Sequence, residues 1–300
     1  MKNRKYKIKS STSDATLNTI ITVIMVIFAV IILYPLIYVL SSSFSSGQAV
    51  TTGKVLLWPV DFSTTGYEVV FSYKAVWRGY ANTIFYTLVG TLLNVFLTIL
   101  AAYPLSRRKF RGKGLYMTLF MIPMFFTGGM IPTYLLMSKL HLVNTRWALI
   151  FIGAISTYNM IVMRTFFQNS IPEELLEASK IDGITDLGYL LKIVLPLSKA
   201  IVAVISLYYS VGHWNAYFNG LIYLRDRDLY PLQLILREIL NASQIKATDI
   251  DDLEALQKIQ EAADVMKYSL IVVAVVPMLI VYPFIQKFFE KGVMIGSVKG

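Results

Sequence analysis

Long apolar runs alternate with polar and basic segments along this chain, and their spacing predicts six membrane-crossing helices. The first run, 17–40, is apolar throughout; at 1.5 Å per residue it reaches about 36 Å, enough to cross a bilayer with some tilt, and Pro35 is placed to kink it. Residues 41–80 read as a polar loop rich in Ser, Thr and Gly, with Trp58, Tyr67, Tyr73 and Trp77 as interfacial anchors. Further spans are predicted over 81–105, 115–137, 147–167, 199–222 and 268–289. The third is interrupted by Pro123, Gly128-Gly129 and Pro132. Such breaks persist in a membrane only where protein or a water-lined cavity satisfies the freed backbone groups. The long segment 223–267 holds two stretches of helical periodicity, Pro231–Leu240 and Asp251–Met266, the second with Leu253, Leu256, Ile259 and Ala263 on one face.

Composition agrees with the pattern. The chain is 56% hydrophobic and 15% charged, with mean hydropathy +0.59, whereas a soluble domain carries about 25% charged residues. Cysteine is absent, which excludes disulfides and thiolate metal sites. The first run is too long for the core of a signal peptide and lacks a small-residue cleavage pattern, so it is expected to remain as a span. A net charge of +10 could indicate nucleic acid. However, ten of the 28 Lys and Arg lie in 1–16 and 106–114, with no base-stacking aromatics among them. By the positive-inside rule they place both termini, 106–114 and 168–198 in the cytoplasm, so the basic patches set topology and no nucleic-acid partner is expected.

The chemistry that is missing narrows the function. Ion-coupled carriers hold carboxylates inside the membrane, yet all 18 acids here fall in loops, tails or span ends. There is no phosphate-binding G-x-x-x-x-G-K-[ST], no H-E-x-x-H and no His/Cys cluster, so no ATP site, metal, cofactor or catalytic residue is predicted. The polar groups at membrane depth are Asn94, Tyr158, Asn159, His213, Trp214, Asn215 and Tyr217. Asn94 reads as an interhelical hydrogen bond, worth about 1 kcal/mol. Tyr158-Asn159 and Trp214-Asn215 each join an aromatic face to an amide, the combination that stacks on a sugar's C–H face and holds its hydroxyls. With His213 and Tyr217 they form the predicted substrate pathway.

Residues 170–199, SIPEELLEASKIDGITDLGYLLKIVLPLSK, are amphipathic and carry five carboxylates between two apolar segments. Ser170 and Glu173 have capping-box spacing, Pro172 sits in the first turn, and Gly183 permits a left-handed stop after Asp182. Thr185 caps a second short helix that is expected to break at Pro196. On spacing alone this is an interfacial helix-turn-helix. Its spelling is more specific: Glu177-Ala178-Ser179, then Gly183, then Ile193-x-Leu195-Pro196 resembles the EAA loop of ABC-importer permeases, with Ser179 in place of the second alanine.

The resemblance extends to GGMIPTYLL, NTRWALI, MRTFFQ, HWNAYFNGLIYL and the terminal GSVKG, all similar to carbohydrate-uptake permeases. It implies an all-α, polytopic membrane protein with six transmembrane helices and the type I ABC importer permease (MetI-like) fold. Its parts would be a cytoplasmic basic N-terminus (1–16), a first span (17–40), a permease domain (81–290, with coupling loop 170–199 and extracellular loop 223–267) and a cytoplasmic tail (291–300). It further implies one of two non-identical permease subunits in a bacterial plasma (inner) membrane, served by two ATP-binding subunits and an extracellular or periplasmic solute-binding protein. Carried onto this chain, the ATPase-coupling residues are Glu173, Glu174, Glu177, Ala178, Ser179, Asp182, Gly183 and Pro196, and the tail contact is Gly296 and Lys299. The implied function is ATP-driven carbohydrate import, the carbohydrate an oligosaccharide. The competing readings are a permease for a non-sugar solute and a non-transporting scaffold that recruits an ATPase. An anion carrier calls for a basic residue at membrane depth, and Arg164, at a span end, is the sole candidate.

Overall fold

The computed structural model describes residues 12–242, 266–281 and 283, and the regular elements among them are all helical. The chain divides into two compact units, Met1–Val70 with Ser243–Val272 and Phe71–Ala242 with Val273–Gly300.

The first unit is built on α1 (Thr12–Ser43), whose most apolar 18 residues have mean hydropathy 3.0. Its Ile, Val, Leu and Phe side chains are exposed on every side, and a helix apolar all round belongs in lipid. Pro35 lies inside this helix without ending it. The segment after it is a packed layer, where the sequence suggested a plain loop. Ser41 Oγ donates to the Leu57 carbonyl (2.7 Å), and Ser45 Oγ donates to the Ser41 carbonyl (2.7 Å) while accepting from the Val60 N–H (3.0 Å). These serines replace the ladder bonds that an irregular backbone lacks. Short helices α2 (Gly47–Thr51) and α3 (Thr65–Ser72) follow. Tyr67, expected as an interfacial anchor, instead hydrogen-bonds Ser43 Oγ (2.8 Å) and packs on Phe44 (4.9 Å). Trp58 remains exposed.

The second unit is organised around α4 (Lys74–Ser106), which begins well before the expected Ala81. Its buried residues recur every three to four positions, through Gly79, Thr83, Tyr86, Gly90, Asn94, Thr98 and Ala102, while Leu88, Leu92, Phe96 and Leu100 are exposed. Small and polar residues inward with leucines outward is the arrangement of a helix packed on helices and bathed in lipid.

The third, fourth and fifth expected spans are broken. The third expected span is α5 (Lys113–Phe125) and α6 (Met130–Lys139), bent by 115° at Phe126–Gly129. Pro132 falls in the first turn of α6, where a missing N–H leaves no intrahelical bond unmade. The fourth is α7 (Arg146–Phe151) and α8 (Thr157–Ser170), separated by Ile152–Ser156. Next come α9 (Glu173–Ile181), α10 (Asp186–Tyr189), a wide π turn over Leu190–Val194, and α11 (Leu195–Leu197). The fifth is α12 (Lys199–Trp214) and α13 (Tyr217–Tyr223), interrupted at Asn215-Ala216. Helix α14 (Leu232–Ala242) lies where Pro231–Leu240 was predicted, and Met266–Val281 forms α15. The helix expected over Asp251–Met266 lies outside the described residues except for Met266.

Among the described residues two helices, α1 and α4, are long and apolar enough to cross a membrane unaided, or up to four spans if the bent pairs α5–α6 and α10 through α12 each count as one. Helices α8, α12 and α14 pack on α4. One core cluster joins Ala102 and Leu105 of α4 to Met163 and Phe167 of α8, Tyr189 of α10 and Ile205 of α12. Another gathers Tyr86, Leu149, Ala216 and Tyr223 toward the opposite end of α4.

Candidate functional site

A cavity of about 980 Å³ opens among α4, α8, α12 and α15. Tyr158 and Asn159 reach it from the first turn of α8, which Ser156 caps by accepting the Asn159 N–H (3.4 Å). His213, Trp214 and Asn215 reach it from the end of α12. Of the predicted pathway residues, only Tyr217 does not line it; that ring sits under the Arg237 guanidinium at 4.7 Å.

The two aromatic-amide pairs differ from expectation. Trp214 is 6% exposed and its Nε1–H donates to the Ala274 carbonyl of α15 (3.1 Å), so its ring is occupied by the protein itself. Asn215 is exposed, with Nδ2 donating to the Val211 carbonyl (3.0 Å). The open aromatic faces belong to Tyr158, 57% exposed, and Tyr208, 46% exposed. Asn94 also departs from its reading. The interhelical bond at this depth is made by Thr98 Oγ1 and Tyr209 OH (2.8 Å), and the same phenol accepts the Ser156 N–H (2.9 Å). Asn94 Oδ1 and His213 Nε2 are buried without a hydrogen-bond partner among the described residues, and both residues line the cavity. His213 lies directly on Gly90: a Cβ there would stand 2.3 Å from Nε2, so only glycine fits.

Asn219, Gln233, Tyr208, Ser156 and Tyr209 also line the cavity and were not singled out from the sequence. Asn219 lies one helical turn beyond Asn215, a spacing that could have revealed it. Among the described residues no Asp, Glu, Lys or Arg lines the cavity. Amides, phenols and one imidazole in an otherwise apolar wall suit a neutral, hydroxyl-rich surface.

The cytoplasmic-type loop has the predicted two helices and a different start. Ser170 ends α8 and forms no capping box; Pro172, with ψ of 142°, is the residue before α9 and makes no side-chain cap. Glu173 instead pairs with Arg108 Nε at 3.2 Å. The stop is as expected: Gly183 has φ +72°, its N–H donates to the Lys180 carbonyl (3.1 Å), and the Ile184 N–H donates to that of Ser179 (2.9 Å). Thr185 caps α10 by accepting the Gly188 N–H (3.2 Å). Pro196 does not break the helix at its own position. A proline ring clashes with the carbonyl four residues back; the π turn over Leu190–Val194 widens the backbone there, and the 83° bend falls at Ser198 instead.

The faces of α9 are well separated. Glu174, Glu177, Ala178 and Asp182 are exposed, while Ser179 is buried with Oγ donating to the Leu176 carbonyl (2.8 Å). The small residue that replaces the motif's second alanine thus serves internal packing. The loop is tied to α4 by Arg107, whose guanidinium lies 4.9 Å from the Tyr103 ring and 5.3 Å from that of Tyr189, and by Tyr103 OH donating to the Asp186 carbonyl (3.1 Å). A cleft of about 1010 Å³ beside it is lined by Arg107, Arg108, Gln168, Glu173, Glu174 and Glu177. Gly296 and Lys299 lie outside the described residues.

Residues 94–295 match the family described as binding-protein-dependent transport system inner membrane component. This chain belongs to that family. It is 42% identical over 276 residues to the polygalacturonan/rhamnogalacturonan transport system permease protein YtcP of Bacillus subtilis (strain 168), covering 92% of this chain and 96% of that protein. It is 26% identical over 289 residues to the arabinooligosaccharides transport system permease protein AraQ of Halalkalibacterium halodurans, covering 95% and 97%. Among solved structures, a bacterial ABC transporter involved in the import of the acidic polysaccharide alginate superposes with a TM-score of 0.85 at 35% identity, covering 94% of this chain and 100% of the other. The fold is thus the all-helical ABC importer permease fold. The chain is an inner-membrane permease component of a binding-protein-dependent importer, which works with a solute-binding protein and an ATPase.

Proposed function

We propose that this chain is one of two non-identical permease subunits that, with two ATP-binding subunits and an external solute-binding protein, import an oligosaccharide at the expense of ATP. Both termini face the cytoplasm of a bacterial cell, and hydrolysis is carried out by the separate subunits. The observation that carries this reading is the course of α8. Tyr158 and Asn159 at its start line the uncharged cavity, and Phe167 near its end packs in the core cluster that holds Tyr189 of the coupling loop. A single helix of 14 residues, about 21 Å long, joins the two sites. The relatives named for polygalacturonan, arabinooligosaccharides and alginate support a saccharide cargo.

In this mechanism ATP binding closes the ATPase pair against the exposed Glu174–Glu177–Ala178 face of α9. The rigid Gly183 stop and the Arg107–Tyr189 stack pass that displacement to α4 and α8, which open the cavity outward to receive sugar from the binding protein. The test is uptake by proteoliposomes holding the whole complex. Oligosaccharide accumulation that requires both ATP and the binding protein is the expected result. An assembled complex that recruits ATPase and accumulates no saccharide would identify a scaffold or a carrier of another solute.

A further inference from the structure

One face of the second unit carries more arginines than carboxylates to neutralise them. It is formed by the start of α7, the first turns of α4 and the segment 224–238, which hold Arg78, Arg146, Arg225, Arg227 and Arg237 against Asp226, Asp228 and Glu238. Arg78 pairs with Asp228, and Arg227 with Glu238 at 3.1 Å. Arg146, Arg225 and Arg237 are exposed, and none has a carboxylate within 4.0 Å among the described residues. Neutral groups hydrogen-bond Arg225 and Arg146, and Arg237 lies over the Tyr217 ring at 4.7 Å. Arg225 Nη2 donates to Tyr134 OH (3.0 Å), and the Tyr134 ring stacks on Tyr223 at 6.0 Å. Asn144 Oδ1 accepts the backbone N–H groups of Arg225 (2.9 Å) and Asp226 (2.8 Å), from a left-handed φ of 61° that asparagine tolerates. Arg146 Nη2 donates to Asn82 Oδ1 (3.2 Å), its guanidinium 5.1 Å over the Phe85 ring.

A guanidinium has five N–H donors in a planar fork that matches a carboxylate. Here each fork is pre-positioned and mostly unoccupied, so little conformational freedom is lost when an anion arrives. The half-buried Tyr134 beside Arg225 adds a surface on which a sugar ring can stack. The cavity itself has no charged lining, so a charged cargo must be recognised as charged elsewhere.

We infer that the face bearing Arg146, Arg225 and Arg237 is a receiving site for the carboxylated sugar units of an acidic oligosaccharide, ahead of the uncharged cavity. The inference rests on the carbohydrate-import reading and names the charge class of the cargo and where that charge is read.

The chain has no cysteine, so Trp147→Cys beside Arg146 gives this chain a single thiol, and its labelling by an impermeant maleimide is read on this subunit after separation. In the complete transporter in proteoliposomes, tri-galacturonate should slow labelling at least fivefold, and its neutral methyl ester should not. Adding Arg146→Gln and Arg225→Gln should remove that protection. The same pair should raise the half-saturating tri-galacturonate concentration for uptake at least fivefold and flatten its salt dependence, leaving ester uptake unchanged.

Equal protection by acid and ester, or protection that survives the double substitution, overturns the site. Equal loss of acid and ester uptake also overturns it, pointing to docking of the binding protein. So does a parallel loss of heat stability, which would make the arginines structural. A wild-type complex that takes up neither compound sinks the import reading and this inference together. Uptake of both by wild type, with indifferent variants, sinks this inference alone.

Discussion

At the scale of single residues, the identity of each polar group at membrane depth was legible and its role was not. Composition and position in the apolar runs marked Asn94, Tyr158, Asn159, His213 and Asn215, and the structure brings all five to one cavity. Which side chain offers its face to that cavity depends on neighbours far along the chain. Trp214 is taken by Ala274, sixty residues away, and Tyr217 by Arg237, so neither pairing could be read locally. The consequence is testable by contrast. Tyr158→Ala and Asn215→Ala should lower oligosaccharide uptake on the order of tenfold, with the complex still assembling, because both groups are exposed to the cavity. Trp214→Ala should instead lower the thermal stability of the detergent-solubilised complex, since truncating a buried tryptophan costs about 3–5 kcal/mol. Uptake unchanged in the first two variants would make the cavity lining a matter of packing alone. Gly90→Ala presses a methyl group against the His213 ring and should cost about 1–3 kcal/mol. Combining it with His213→Ala relieves that clash, so the double variant should be more stable than the sum of the two single losses. Strict additivity in thermal unfolding would show that the two residues do not meet.

The elements divide by how local their causes are. Helix α9, its glycine stop and the Thr185 cap lie within one fifteen-residue stretch and were read correctly, because turn chemistry is short-ranged. The capping box failed because α8 runs on to Ser170, which removes the hydroxyl from its expected position. The break moved from Pro196 to Ser198 because a π turn absorbed the proline, an adjustment with no sequence signal of its own. The interruption read from Pro123, Gly128-Gly129 and Pro132 is the 115° bend between α5 and α6, whereas the breaks at Ile152–Ser156 and Asn215-Ala216 were not read from the sequence. For the coupling loop the structure sharpens the expected effect of substitution. Glu177→Lys reverses charge on the exposed face of α9, and Gly183→Arg puts a side chain at a φ of +72°, which costs about 1–2 kcal/mol before any clash at a docking surface. Both should abolish uptake and ATPase co-purification while the partner permease stays bound. Ser179→Leu should differ from them: that residue is buried, so bulk there should unseat α9 from its own chain and lower stability as well as coupling. Retention of the ATPase and normal uptake in both Glu177→Lys and Gly183→Arg would reduce this loop to a connector.

Over the whole molecule, the membrane character follows from composition, and the proposed orientation rests on where the cations fall. Helices α1 and α4 present leucine, isoleucine and phenylalanine outward over their lengths, which water would not tolerate and a bilayer requires. Neither helix carries information about which end is inside. That information lies in the flanking charges: five basic residues in 1–16 and five in 106–114, against a long segment 223–267 with more acids than bases. The arginines of that segment do not upset the assignment, because the rule weighs short loops close to the span ends. The structure adds a constraint of its own. The α9 face and the cleft beside it sit at the Arg107 end of α4, whereas segment 224–238 meets α4 between Arg78 and Tyr86, so roughly 20–30 residues of that helix, about 30–45 Å, separate the loop 170–199 from segment 224–238. Whichever side holds one, the other lies across the membrane. A reporter active only in the cytoplasm should therefore be active when fused after Lys113 or Lys199 and silent after Thr65 or Ala247. Activity at both Lys199 and Ala247 would require an odd number of missing crossings between them and would overturn the six-span arrangement. Activity at Ala247 with silence at Lys199 would keep the arrangement and invert it, placing the arginine face inside the cell.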